Sequence, residues 1–408
     1  MLKILKWLIV LSVMVVAAAY VTITLPWFNT LQARMGAFDA TYGTPADHAH
    51  ALSTFAENFP SRTVSRAGPV RAWPEDRQDL SHLSYQAGGK TYGLDDFFTR
   101  NKTRGLVIIH KGELIYERYA EGTDTHTRFT SMSVAKSVVA TLVGLAEGDG
   151  LIQSLEDPLT GYLPELEGTA YEGVSIEQAL QMSSGIKFTE TYGPGDLITD
   201  IGIFMGTSVI GNVLPANEAA AIFDRIHEPG TVFNYNTAET QVLGALVRRV
   251  TGKSLSAYLS EKIWQPLGQL HDATWALDST RGMEQAGCCL NMALRDYARL
   301  GELYRLDGVW HGQRLLPEGW VKRATQSSKP HVMPGKLFAD DDYIGYQYQW
   351  WTRANDYSAQ GVFGQFIQVM PEHELVIAMT SSWPEGWVDA MGAEAYLFFD
   401  AVAAAVAD

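Results

Sequence analysis

Ser133 and Lys136 are the first residues in this chain whose types and spacing suggest chemistry. A serine hydroxyl attacks a carbonyl well only when a base takes its proton, and an amine three positions on, along the same helical face, is placed to do so. The amine must be uncharged for that role. Burial at an apolar helix start lowers a lysine pKa toward the useful range. The sequence supplies such a helix, because an uncharged run from Val138 to Ala146 follows Lys136 and Glu147-Gly148-Asp149-Gly150 closes it. A helix beginning here also presents N–H groups and positive potential to an oxyanion. Spacing alone is a weak signal, since about one Ser-x-x-Lys match is expected by chance in a chain of this length. Ser184-Gly185-Ile186-Lys187 is a second copy, but it contains a glycine and has no apolar helix behind it, so it reads as a loop.

Two further segments carry candidate groups. In Phe233-Asn234-Tyr235-Asn236-Thr237, either Asn236 or Thr237 is a natural N-cap for the apolar-periodic stretch that follows, so Tyr235 projects from the end of a loop. A phenol beside an ammonium ionises more readily and can relay a proton to a leaving group. Standing alone, the segment reads first as a core tyrosine at a loop–helix junction. In Ala359-Gln360-Gly361-Val362-Phe363-Gly364-Gln365, glycines bracket a strand end, where the backbone can approach a ligand closely and offer an N–H to an oxyanion. Alone, it is a glycine-containing turn.

These groups need elements to hold them. Leu106 to Ile109 and Leu114 to Tyr116 flank Lys111-Gly112 and predict an antiparallel hairpin. The same pattern recurs from Phe366 to Met370 and from Leu375 to Met379, and a closing helix is expected over 389–406. Helical periodicity marks 176–182, 216–226, 239–251, 255–263 and 294–306. Strands at both ends around a helical middle predict a mixed α/β (α+β) fold, with one sheet assembled from both ends of the chain and an all-α part between. The expected limits are about 95–155 and 335–408 for the sheet part and 156–334 for the helical part, with 31–94 as a partly irregular connector.

The chain has 408 residues, 46% of them hydrophobic, which is enough for a large core. A formal net charge of -15 with no basic run argues against nucleic acid as a partner. Lys3 and Lys6 precede an uncharged, mostly apolar stretch from Trp7 to Phe28, long enough to enter a membrane as a helix. Ala17-Ala18-Ala19 resembles a signal-peptidase site, so the segment is read as a retained anchor or a removed signal. Either places the remainder across the membrane, inner-membrane-anchored facing a periplasm or exported. Cys288 and Cys289, the only cysteines, are adjacent, so they staple no loop and are expected to be buried thiols. His48 and His50 are expected to be solvated loop residues rather than metal ligands.

Taken together and in order, these three segments resemble the serine β-lactamase and penicillin-binding-protein superfamily. The nearer resemblance is to class C β-lactamases, family VIII carboxylesterases and 6-aminohexanoate-dimer hydrolases, over roughly 105–397. Phe129 to Ser137, Leu180 to Ile186, Thr251 to Leu255, Ile263 to Gly268 and Gly361 to Gln365 carry it. The resemblance implies a β-lactamase/transpeptidase-like fold, an antiparallel sheet flanked by helices plus an all-α domain. It implies Ser133 as nucleophile, Lys136 as its base, Tyr235 as proton relay and the backbone N–H groups of Ser133 and Val362 as oxyanion hole. Thr237, Gln360 and Gly361 would line the substrate. No metal or organic cofactor is implied, and the partner is a small ester or amide. Two departures stand out: Thr237 replaces the asparagine of Tyr-x-Asn, and Ala359-Gln360-Gly361 replaces Lys-Thr-Gly, removing the cation and hydroxyl that grip a β-lactam carboxylate. Hydrolysis of an ester or amide through an acyl-enzyme is therefore expected ahead of β-lactamase or D-Ala peptidase activity, or of a non-catalytic binding homologue.

Overall fold

Leu106 to Ile109 are all fully buried, as a strand covered on both faces requires. They form the middle of the strand Thr103–His110, which sits inside a seven-stranded sheet. In the computed structural model, the described residues are 45–192, 199–337 and 343–406, with isolated positions between 12 and 35. Strand order across the sheet is Gly345–Gln347, Trp350–Thr352, Tyr357–Gly361, Gln365–Met370, Leu375–Ser381, Thr103–His110 and Glu113–Tyr119. Every neighbouring pair is antiparallel. The two ends of the chain thus meet at the Leu375–Ser381 and Thr103–His110 pairing, as the sequence predicts.

Alternation along the central strands divides the core. Val107, Ile109, Ile367, Val369, Val376 and Ala378 point to one face, where they share a cluster with the helices Val134–Gly148 and Leu294–Arg305. Leu106, Ile108, Phe366, Ile377 and Met379 point to the other, against the closing helix Asp389–Val406. On the first face, the helix Thr237–Thr251 packs directly on Val134–Gly148. This contact carries the loop before Thr237 to the start of the serine helix.

Four expectations need correction. The stretch 31–94 is not merely a connector: its helix Pro45–Asn58 buries Leu52 and Phe55 in the main core, and its strand Ser61–Val64 pairs with Ala273–Ala276. His48, at the start of that helix, is 1% exposed, with its Nδ1 3.2 Å from the Trp383 carbonyl oxygen and its ring against Phe363. The helical middle also holds β-structure, because Ala273–Ala276 and Leu290–Ala293 join Ser61–Val64 and Arg128–Thr130 in a second sheet. The helix expected over 216–226 stops at Ala220, since Asp224 and Arg225 pair with the backbone at Ile186 and Lys187 instead.

Among the described residues, no helix is long and apolar enough to cross a membrane. The Trp7–Phe28 stretch lies outside the described residues apart from isolated positions.

If the lead-in helix belongs to the core, Phe55→Ala will destabilise the whole domain. Phe55 is 2% exposed and stacks on Phe59, so truncation should cost about 3–5 kcal/mol, read as a lowered urea midpoint. A midpoint unchanged from wild type would return residues 45–58 to the status of a connector.

Candidate active site

The serine helix Val134–Gly148 starts from a tight turn. Met132 has φ 44°, a left-handed conformation that costs a non-glycine residue about 1–2 kcal/mol, and Ser133 follows as N-cap. The turn is anchored to the second sheet, where Ser131 N–H donates to the Leu290 carbonyl at 2.8 Å and Leu290 N–H donates to Ser131 Oγ at 3.1 Å. One helical turn brings Lys136 back to the serine, with Nζ 2.9 Å from Ser133 Oγ. Nζ also donates to the Gly287 carbonyl at 2.8 Å. An uncharged amine in this position donates to Gly287 and keeps its lone pair for the serine proton. Lys136 is 1% exposed, and burial lowers its pKa to about 8, with Glu190 opposing the fall.

Asn236 caps the helix Thr237–Thr251 by accepting from Ala238 N–H at 2.9 Å, and Tyr235 precedes it. The Tyr235 ring lies 4.9 Å from Lys136 Nζ and stacks on Trp351, and the Ser133 side chain faces its phenol. Its acidity departs from the expectation. Burial, and secondarily the Glu190 carboxylate, push the phenol well above its ordinary pKa. The proximity of Lys136 does not make it more acidic, because a dry site disfavours phenolate and the Glu190 carboxylate disfavours it further.

The strand Tyr357–Gly361 completes the cluster. A Cβ at Gly361 would lie 2.6 Å from Ser131 O and 2.9 Å from Ser133 N, so only glycine lets this strand end reach the serine turn. Val362 follows directly. Gln360 is turned away from the cluster: its amide donates to Ser358 Oγ at 2.8 Å and to the Tyr396 hydroxyl, on the face covered by the closing helix. The side chain of Thr237 is also engaged. Its N–H and Oγ1 each donate to Glu190 at 2.7 Å, so it holds a carboxylate rather than an open position. Of the expected site residues, Ser133, Lys136, Tyr235, Gly361 and Val362 come together; the Gln360 side chain does not.

Four features escaped sequence reasoning. Glu190 comes from the Phe188-Thr189-Glu190 segment and is fixed by Thr237 and Tyr192. Gly287 supplies the carbonyl for Lys136, and a Cβ there would lie 2.6 Å from Thr237 Cγ2. Gln349 ties three elements: it accepts at its backbone carbonyl from Ser137 Oγ at 2.6 Å and at its side chain from Thr240 Oγ1 at 2.7 Å, and donates to the Leu180 carbonyl. Cys288 and Cys289, expected as thiols, are bonded to each other, Cys289 adopting φ 70° in a tight turn. None belongs to a local motif. The second Ser-x-x-Lys copy is no equivalent pair, because Ser184 is buried and donates to Glu239 while Lys187 is exposed. Among the described residues, no group of three His, Cys, Asp or Glu side chains is arranged to hold a metal.

A serine and a desolvated lysine at a helix start, with a tyrosine from the helical region and a strand end beside them, define a serine hydrolase of β-lactamase/transpeptidase-like fold. The chain belongs to the Beta-lactamase family, whose model matches residues 94–400. It is 30% identical to the 6-aminohexanoate-dimer hydrolase of Paenarthrobacter ureafaciens over 342 residues, 82% of this chain and 85% of that protein. Esterase EstB of Burkholderia gladioli is 30% identical over 175 residues, 40% of this chain and 44% of that protein. A solved structure from Bacillus anthracis, provisionally named as a 6-aminohexanoate-dimer hydrolase, superposes with TM-score 0.78 at 24% identity and shares the fold, covering 87% of this chain and 93% of its own.

The close approach at Gly361 makes a direct prediction. Gly361→Ala should push the strand off the serine turn at a cost of order 1–3 kcal/mol, lowering the thermal midpoint. An unchanged midpoint would mean that the turn and strand do not touch.

Proposed function

We propose that this protein hydrolyses a small ester or amide through an acyl-enzyme on Ser133, in the manner of an esterase or 6-aminohexanoate-dimer hydrolase. The observation that carries the reading is the 2.9 Å contact between Lys136 Nζ and Ser133 Oγ, in a site where burial holds the amine near pKa 8. Uncharged Lys136 takes the serine proton as Oγ attacks the carbonyl carbon. Negative charge gathers on the carbonyl oxygen, facing the backbone N–H groups of Ser133, at the helix start, and Val362, beyond the glycine. As the tetrahedral species collapses, Tyr235 gives its proton to the leaving amine or alcohol and recovers one from the Lys136 ammonium. The raised phenol pKa fits a group that passes a proton on rather than one resting as phenolate. Water then attacks the acyl-enzyme with the same groups, releasing the acid.

The substrate reading rests on the third segment. Ala359 carries no cation, Gln360 is tied to Tyr396, and Thr237 is occupied by Glu190. Nothing among these grips a carboxylate, so esters and linear amides are favoured over β-lactams and D-Ala peptides. Beside Tyr235, Phe233, Tyr346 and Trp351 form an aromatic wall suited to an uncharged chain. The N-terminal apolar stretch after Lys3 and Lys6 supports a location across a membrane, anchored to its outer face or released from it.

A fluorophosphonate probe should label Ser133, and Ser133→Ala should abolish the label; a folded wild type that stays unlabelled would favour a binding homologue instead. Side-by-side rates on p-nitrophenyl butyrate, 6-aminohexanoate dimer and nitrocefin should rank nitrocefin last.

Tyr235→Phe should lower kcat by about a hundredfold or more while leaving the circular dichroism spectrum unchanged, and near-normal turnover would remove the tyrosine from proton transfer.

The pH profile tests the base. Only uncharged Lys136 can accept the proton, so kcat/KM should rise with pH and level off above about 8. Glu190 stabilises the ammonium form. Its replacement in Glu190→Gln should therefore move the rise to lower pH; a rise that stays in place, or moves upward, contradicts the assignment.

A further inference from the structure

We propose that the Cys288–Cys289 disulfide is a redox-modification site, reducible by a dithiol, that controls the seat of Lys136. The inference rests on the functional reading above. It starts from where the bonded pair lies in the chain. Immediately before it, the Gly287 carbonyl accepts from Lys136 Nζ at 2.8 Å. Immediately after it, Leu290 exchanges hydrogen bonds with Ser131, two residues from Ser133. The two-residue ring is therefore inserted between the backbone contact that seats the base and the one that seats the serine turn.

The surroundings confine movement to this short stretch. Upstream, Ala286 N–H donates to Gln241 Oε1 at 2.9 Å and Gln241 Nε2 donates to the Glu284 carbonyl at 3.0 Å, pinning the chain to the helix Thr237–Thr251. Downstream, Ala276 N–H donates to the Cys289 carbonyl at 3.0 Å, and Leu290 enters the second sheet. Trp275 Nε1 donates to the Gln285 and Cys288 carbonyls, closing the turn. Within it, Cys289 occupies φ 70°, a left-handed conformation unfavourable for a side-chain-bearing residue. The ring holds that conformation, and cutting it lets Cys289 return to negative φ. Gly287 lies two residues away, and its carbonyl shares a peptide unit with the Cys288 N–H, which donates to the Gln285 carbonyl at 3.1 Å. The change at Cys289 turns that unit, breaking this bond and withdrawing the carbonyl from Nζ.

Access is one-sided. Cys288 is half-buried, whereas Cys289 is fully buried. A thiolate of the reductant attacks Cys288 Sγ, the sulfur–sulfur bond breaks, and Cys289 departs as thiolate and takes a proton. The second thiol of the reductant then displaces Cys288 from the mixed disulfide. The products are two cysteine thiols and the oxidised dithiol.

The chain contains no other cysteine, so any thiol chemistry reports on this pair alone. The full-length protein, isolated oxidised, is treated with dithiothreitol, and reduction is verified by iodoacetamide modification of Cys288 and Cys289. We expect kcat/KM for p-nitrophenyl butyrate and the rate of fluorophosphonate labelling at Ser133 to fall at least about tenfold on reduction and to recover on reoxidation, with an unchanged circular dichroism spectrum. A Cys288→Ala/Cys289→Ala variant should show no response to dithiothreitol. Equal labelling and turnover in verified oxidised and reduced protein overturn this inference alone, whereas no labelling in either form overturns the functional reading with it. The inference also fails if the native pair resists dithiothreitol, if the aerobically purified protein holds two free thiols, or if reduction unfolds the domain.

Discussion

An alcohol and an amine held 2.9 Å apart where water is excluded is the constraint on which the rest of this structure depends. Helix pitch alone sets the two side chains on one face. It does not make the amine a base. That change requires a continuous apolar sleeve, and the serine helix has one: every residue from Val134 to Ala146 is buried. Desolvation penalises the ammonium ion and brings Lys136 to about pKa 8, where an appreciable fraction is uncharged near neutrality.

Desolvation is not left unopposed. Glu190 places a fixed negative charge near Lys136 and Tyr235, raising the pKa of both. The carboxylate is itself stabilised by the N–H and hydroxyl of Thr237 at the positive end of a helix. Threonine in place of an asparagine amide therefore has a physical account in this chain. The short hydroxyl side chain donates to the same Glu190 carboxylate that the Thr237 N–H also serves, each at 2.7 Å.

The same economy explains the third segment. Strand alternation sends Ser358 and Gln360 to the face of the closing helix, where Tyr396 receives the Gln360 amide, and leaves Ala359 and Gly361 toward the serine helix. With a small and an absent side chain facing inward, the backbone itself reaches the serine turn. A rigid chassis makes such contacts reproducible: the long strands, the closing helix and the early helix Pro45–Asn58 all bury their apolar faces around it.

Sequence by itself determined what local periodicity can encode. The buried strands, the apolar helix behind Ser133, a cap at Asn236 or Thr237 and the shared face of Ser133 and Lys136 all follow from spacings of two to four residues, which fix side-chain direction without knowledge of the fold. Tertiary structure alone decided the partners drawn from far along the chain. Glu190 meets Thr237 across 47 positions, Gly287 meets Lys136 across 151, and the residues around His48 enter the core only because a distant strand waits for the segment that follows them. It also decided that two adjacent thiols bond, since that needed the turn at Cys289, and that Tyr235 stays a phenol, since burial and a remote carboxylate outweigh a neighbouring amine. Electrostatic environment and backbone turn geometry are sums over packed neighbours, and no short window of sequence contains those neighbours.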